Sequence, residues 1–341
     1  MRPYAVVIAL DRVDKALKSI ESLQALPRRE RPAEIILSVG RNPSLQRNLG
    51  VEACRSPWVY FLDDDSFVIP GTVPNLLSHF EEARISVAGG PNLPFPDASS
   101  FEKTVSAVLA SWLGSFTVRN RYAPLGGVRE ATEKELILCN LMVRREAFRK
   151  QGGFRTDLYP NEENEFLNRM LHHGHGLIYD PSAAIYRPRR KDLRSFILQS
   201  FRYGRGRGQQ MRVYPCVTDI VHLVPAFFLL YLVSLGVSFF TPASGLLGLL
   251  RSWEWRAPFA LFAALAVATG VSGMSWHRQL RDLFLIPFLI LLRQCGYGVG
   301  LLAGLVGGPS SPRPTGVTLH RARFTGRGMK VLPIRSARKM K

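Results

Sequence analysis

The sequence predicts an α/β fold, a mixed and mostly parallel sheet flanked by helices, followed by an α-helical membrane region. Three observations predict it. Strand-like and helix-like segments alternate from Tyr4 to Gly89. The third of those strands, WVYFL, runs directly into Asp63-Asp64-Asp65. Composition then changes: up to about Tyr214 charged and apolar residues are mixed, whereas Val217 to Val306 is dominated by Leu, Val, Phe, Ala and Gly.

Each element has its own signal. Tyr4 to Leu10 is a continuous apolar run of strand length, as a strand buried on both faces requires. It is too short for a signal peptide and soon meets Asp11, Arg12 and Asp14. Ala16, Leu17, Ile20, Leu23 and Leu26 recur near helical spacing, and Pro27 with the charged stretch to Pro32 ends that helix. Glu34 to Val39 reads as a second strand, Leu45 to Cys54 as a second helix and Trp58 to Leu62 as a third strand. This alternation implies right-handed crossovers, a parallel sheet and a ligand site beyond the carboxyl ends of the strands. Val73 to Ala83 reads as a helix, Ile85 to Gly89 as a strand, and an irregular stretch runs from Gly89 through Ser100. Phe101 to Val118 is apolar and aromatic, and suits either a core helix or a segment lying on a membrane surface. Glu146 to Gln151 and Glu163 to His172 read as helices, with Leu177 to Asp180 as a late strand.

Three apolar stretches follow: His222 to Phe240, Ala257 to Ser275 and Leu283 to Val306. The first two approach the ~20 residues needed to cross a bilayer. Arg293 and the Gly-Tyr-Gly-Val-Gly run from Gly296 interrupt the third. An arginine in mid-membrane costs at least ~2.5 kcal/mol, so this segment is expected to be broken, re-entrant or interfacial. A third full crossing would also export the basic tail, against the positive-inside rule. The expected organisation is therefore a catalytic domain over residues 1–212, a membrane region over 213–308 with two crossings, and a basic tail over 309–341.

The formal net charge is +19, and its clusters flank the apolar region: Arg187 to Arg212 on one side, Arg313 to Lys341 on the other. Basic runs so placed suit anionic membrane lipids. No nucleic acid partner is expected, because no binding module accompanies the charge. Cys54, Cys139, Cys216 and Cys295 form no CxxC pair, so free thiols in a reducing compartment are expected.

Three groups of residues suit chemistry. Carboxylates at the end of a buried strand, as in Asp63-Asp64-Asp65, suit Mg²⁺ or Mn²⁺ together with diphosphate oxygens; Asp clusters are also common in solvated loops. Glu162, Glu165 and Arg169 fall at helical spacing, and a carboxylate there suits a general base or simply an acidic helix start. Gln199-Ser-Phe-Arg202-Tyr203-Gly204-Arg-Gly-Arg207 suits a phosphate grip or a juxtamembrane collar.

The order and spacing of these and other stretches resemble the family 2 glycosyltransferases, which have the GT-A fold. The resemblance rests on Gln46-Arg47-Asn48-Leu49-Gly50, Phe61-Leu62-Asp63-Asp64-Asp65 and Val87-Ala88-Gly89-Gly90. It continues through Asn140-Leu-Met-Val-Arg144-Arg145, Gly152-Gly153-Phe154, Asn161 to Arg169 and Gln199 to Arg205. The branch most similar is the succinoglycan-type one, which builds bacterial exopolysaccharide and carries C-terminal membrane segments.

The resemblance implies a fold, an activity and residue roles. Asp63 would contact the nucleotide's ribose or the metal, Asp65 would bind the metal, Asp64, Arg47 and Asn48 would line the donor site with Asp63, and Glu163 would be the base, with Glu162 its rival. Gln199, Arg202 and Tyr203 would lie near the diphosphate or the acceptor. The implied reaction is inverting transfer from a nucleotide-sugar donor to a hydroxyl of a lipid-linked acceptor, at the cytoplasmic face of a bacterial inner membrane. A polyprenyl phosphate acceptor and a catalytically degenerate scaffold are the alternatives. Ser38-Val39-Gly40 stands where the family has a nucleobase-binding Asp, and Ala9-Leu10-Asp11-Arg12 where it has Pro-x-x-Asn. Glu163 stands where it has an Asp, so neither base nor sugar is named by the motifs.

Overall fold

The structure is a computed structural model, and it describes residues 2–213, 215, 220–238, 240, 252–277, 279–307, 316–325 and 328–334. From the N-terminus its elements are β1 (Tyr4–Leu10), α1 (Leu17–Ala25), β2 (Glu34–Val39), α2 (Pro43–Ala53), β3 (Trp58–Leu62), β4 (Phe67–Val68), α3 (Thr72–Ser78), β5 (Ile85–Gly89) and β6 (Asn92–Leu93). The chain continues through α4 (Ser100–Ala110), α5 (Trp112–Ser115), β7 (Arg129–Glu130), β8 (Asn140–Arg144), α6 (Arg145–Lys150), α7 (Glu162–His172), β9 (Gly176–Tyr179) and β10 (Ile185–Tyr186). The long helices α8 (Leu193–Val213), α9 (Ile220–Ser238), α10 (Trp253–His277) and α11 (Asp282–Gly307) precede the hairpin β11 (Thr318–Thr325) and β12 (Gly328–Pro333).

Two compact units result, neither continuous in sequence. One comprises residues 1–96, 120–188 and 311–341; the other comprises 97–119 and 189–310.

The first unit is built on a nine-stranded sheet of order β12-β11-β2-β1-β3-β8-β5-β9-β7. Its centre is parallel, with β1 hydrogen-bonded to β2 on one side and β3 on the other. Strand β8 enters antiparallel between β3 and β5. Strand β1 is apolar throughout because both of its faces are covered; Ala5, Val6, Val7 and Ile8 are fully buried. One face packs a core of Val7, Val59, Phe61, Phe148, Phe154 and Phe166, aromatic rings meeting at 5.0–5.5 Å. Helix α2 begins at Pro43, two residues before the hydrophobic period suggests, because Asn42 caps it by accepting from the Leu45 N–H at 3.0 Å.

A second sheet, β4-β10-β6, has only three short strands. Gly90 makes its approach possible: a Cβ there would stand 2.2 Å from the Ala183 carbonyl oxygen. The segment read as a basic tail is, over its described part, a β-hairpin. Strand β11 pairs antiparallel with β2, Thr318 opposite Val39 and Ala322 opposite Ile35, and so covers that edge of the sheet.

Among the described residues of the second unit, three helices are long and apolar enough to cross a membrane: Ile220–Ser238, Trp253–Gly273 and Asp282–Gly307. The break expected near Arg293 does not occur, and α11 is one helix. Arg293 is accommodated by donating to the Gly114 carbonyl at 2.6 Å and to Ser115 Oγ at 3.2 Å, so the cation faces protein. Of the glycines expected to interrupt α11, Gly300 instead brings α8 close and Gly298 meets Pro225 of α9; Gly304, one turn on, also faces α8. A Cβ at Gly300 or Gly304 would stand 2.1 Å from the carbonyl of Phe201 or Arg205, and one at Gly204 the same distance from that of Tyr297. Helix α4 is a core helix of this unit, started by a Ser99–Glu102 capping box, while Trp112 and Phe116 beyond it are exposed. Cys54, Cys139 and Cys295 are in no disulfide; Cys216 lies outside the described residues.

Candidate active site

The acidic triplet stands where the sequence suggests, at the carboxyl end of β3. Its backbone is pinned from behind: Ser19 Oγ lies 2.8 Å from the carbonyl oxygens of both Asp63 and Ser66, and the Ser66 N–H closes a turn onto Asp63 O at 3.1 Å. The side chains are held by arginines. Arg47 Nη2 lies 3.1 Å from Asp63 Oδ1, and its Nη1 lies 2.8 Å from Glu162 Oε1. Arg47 therefore joins the triplet to the first turn of α7, 115 residues further on.

Arg187 completes the arrangement. Its Nη2 lies 2.8 Å from Asp63 Oδ2 and its Nε 2.9 Å from Asp65 Oδ1. The register of β4 and β10 brings it there, because Tyr186 lies opposite Phe67 in an antiparallel pair. Sequence reasoning names Arg187 only as the start of the basic cluster that flanks the apolar region; the structure places it on the triplet. A two-residue strand has no period to read, so no local signal marks it.

Electrostatics differ sharply among the carboxylates. Burial pushes the Asp64 carboxyl up to about 6, and repulsion from Asp65 and Asp63 adds to it. Burial, then repulsion from Glu163, raises Glu162 above the ordinary carboxylate range, while Arg47 pulls the other way. Burial opposes the charge on Arg47, yet Glu162 and then Asp63 outweigh it and hold the guanidinium protonated. Glu162 Oε2 and Arg47 Nε are buried without hydrogen-bond partners, as are several polar atoms away from the triplet, Trp58 Nε1 and Arg321 Nε among them.

Helix α7 places its acids on different partners. Asn161, buried and left-handed at φ 105°, turns the chain into the helix, and Asn164 Nδ2 donates to its Oδ1 at 2.8 Å. Glu162 faces Arg47 and its side chain is 2% exposed; Glu163 lies 3.8 Å from Arg121 and is 15% exposed. Arg121 is itself buried, donating to Lys134 O at 3.0 Å, to Glu133 O and to Asn164 Oδ1. Glu165 pairs with Arg169, as their helical spacing predicts.

The remaining expected residues are placed less directly. Asn48 donates to Phe154 O and accepts from Phe154 N–H, so both ends of its amide hold backbone. Gln199 and Tyr203 bond to each other at 3.1 Å on α8 of the second unit, where Arg202 is exposed.

Two hard carboxylate oxygens, Asp63 Oδ2 and Asp65 Oδ1, converge on one cationic group. That donor set fits Mg²⁺ or Mn²⁺, which accept one or two carboxylates and take other oxygens from a phosphate ligand. Among the described residues no group of three or more His, Cys, Asp and Glu side chains forms a protein-only metal cage.

Residues 2–152 match the family described as Glycosyl transferase family 2. That match takes in β1 to β8, the acidic triplet included, and is what this stretch is similar to. The chain is also 25% identical over 164 residues to the pre-mycofactocin glycosyltransferase of Mycobacterium tuberculosis, in strains CDC 1551/Oshkosh and H37Rv alike. The match covers 48% of this chain and 34% of those relatives, so the chain spans about a third of their length. A solved mannosyltransferase from Pyrobaculum calidifontis, in complex with GDP-Man and Mn²⁺, superposes with a TM-score of 0.56 at 13% identity. It covers 89% of this chain and 88% of its own, a likeness of fold. The sheet of the glycosyltransferase domain is thus GT-A-like, with the triplet at its carboxyl edge.

Proposed function

We propose that the protein is an inverting glycosyltransferase moving a sugar from a nucleotide-sugar to a hydroxyl of a lipid-linked saccharide, in exopolysaccharide or cell-envelope glycan synthesis. The observation that carries this reading is the single ion-pair network of Asp63, Arg47 and Glu162, with Glu163 beside it, at the carboxyl edge of a sheet whose stretch matches family 2. The apolar helices after that domain support a lipid-linked acceptor, and the basic flanks support anionic lipids and a catalytic face on the cytoplasmic side of a bacterial inner membrane.

Asp63 and Asp65 would hold Mg²⁺ or Mn²⁺, which when bound supplies neutralisation of the leaving diphosphate. The protein's own residues do the rest. Glu163 takes the proton of the acceptor hydroxyl as its oxygen attacks the anomeric carbon from the face opposite the diphosphate, and the configuration there inverts. Partial exposure suits Glu163 to this role. Glu162, enclosed with Arg47, positions the triplet. Gln199, Arg202 and Tyr203 of α8 contribute to acceptor or diphosphate binding.

The direct test is a thermal-shift screen of UDP-, dTDP- and GDP-sugars with Mn²⁺, including GDP-mannose, the donor held by the Pyrobaculum mannosyltransferase. One donor at 100 times its Kd raises stability by ~2.7 kcal/mol. Absence of a shift or of donor hydrolysis with every common nucleotide-sugar sinks the proposal.

A further inference from the structure

The two oxygens of Asp63 serve different partners. Oδ1 meets Arg47, whose side chain is 7% exposed and locked to Glu162; Oδ2 meets Arg187, which is 22% exposed and bridges across to Asp65. Arg47 is therefore a fixture of the fold. Arg187 follows a two-residue strand and holds both outer carboxylates by one nitrogen each.

We propose that Arg187 is an exchangeable resident cation: a divalent ion reaches Asp63 and Asp65 only by taking these oxygens from its guanidinium. The proposal rests on the metal and donor reading above and adds a coupling to it. Three adjacent carboxylates would otherwise repel one another, so Arg187 keeps Asp63 and Asp65 turned toward a common point. The same contact makes metal binding unfavourable without donor, since each Asp exchanges one cation for another. A donor diphosphate changes that balance twice. It brings further oxygens for the divalent ion, and it offers the released guanidinium an anion suited to bidentate pairing. Metal and nucleotide then bind with positive coupling, and by linkage each raises the other's affinity by the same factor. Arg187 is a positioning residue in this scheme.

The test follows free Mn²⁺ by its paramagnetic resonance signal, titrated into the full chain in detergent with and without UDP or GDP. Wild type should bind Mn²⁺ weakly alone and at least tenfold more tightly with the nucleotide it accepts. Arg187→Ala and Arg187→Gln should bind Mn²⁺ alone at least tenfold more tightly than wild type, ~1.4 kcal/mol, with a smaller gain from nucleotide. Asp65→Asn in either background should lose the ion. Arg187 variants that melt like wild type yet bind Mn²⁺ no more tightly overturn the exchange and leave the metal reading intact. No Mn²⁺ binding by any form overturns both.

Discussion

Arg47 and Glu162 form the contact on which the site's geometry depends, because both are buried and each is the other's nearest opposite charge. Removing one partner of a buried pair leaves an uncompensated charge, typically 3–5 kcal/mol. Arg47→Ala should therefore destabilise the first unit by about that much, read by chemical denaturation; a loss under ~1 kcal/mol would show that Glu162 simply takes up a proton. Glu163 should behave differently. Glu163→Gln removes a general base, and a fall in kcat of roughly 10²–10⁴ with little change in melting temperature is expected. Full turnover in that variant would instead point to an acceptor that is already an anion, such as a polyprenyl phosphate. Sequence reasoning located both glutamates but left their roles open, because adjacent residues differ only in which way the first helical turn faces them.

Helices α8 and α11 depend on residues too small to register in a hydropathy pattern. Carbonyl oxygens of each helix lie where a Cβ of the other's glycines would stand. Gly300→Ala or Gly304→Ala should force the pair apart, costing about 1–3 kcal/mol each by overpacking. Gly236→Ala on α9, with nothing within 4 Å of the added atom, should be neutral or stabilising by ~0.5–1 kcal/mol through helix propensity. Melting in detergent compares them, and equal effects at Gly300 and Gly236 would refute the packing role. Sequence reasoning read the stretch from Gln199 to Arg207 as a phosphate grip or a juxtamembrane collar, and the glycine run from Gly296 as an interruption of α11. Composition alone does not separate a Gly that bends a helix from one that admits a neighbour.

At the scale of the molecule, strands from both ends of the chain lie in one sheet. Strand β11 follows α11 yet pairs with β2. The chain must leave and return to one side of any membrane it enters, so an even number of full crossings lies between β10 and β11. Among the described residues three helices are apolar enough to cross, and α11 has 39% of its apolar window buried against 6% for α9 and 17% for α10. Helix α11 is therefore the one expected not to span fully. Reporters at the two termini of the full chain, read by protease or thiol-reagent access in sealed vesicles, should lie on the same side as the acidic triplet. Opposite sides would refute the even count.

Sequence by itself determined the alternating strands and helices of the α/β domain, the triplet after β3 and the membrane-length helices. Each of these rests on local pattern: the period of apolar residues, the length of an apolar run, or a motif at a strand's end. Strand β8 was legible only as a family stretch, not as the antiparallel strand between β3 and β5. Tertiary structure alone decided that Arg187 meets the triplet, that Glu162 and not Glu163 is enclosed with Arg47, that Arg293 faces carbonyl oxygens, and that the basic tail closes the sheet edge at β2. These contacts join residues more than a hundred positions apart. Their partners are selected by strand register and close helix packing, which no local window of sequence contains.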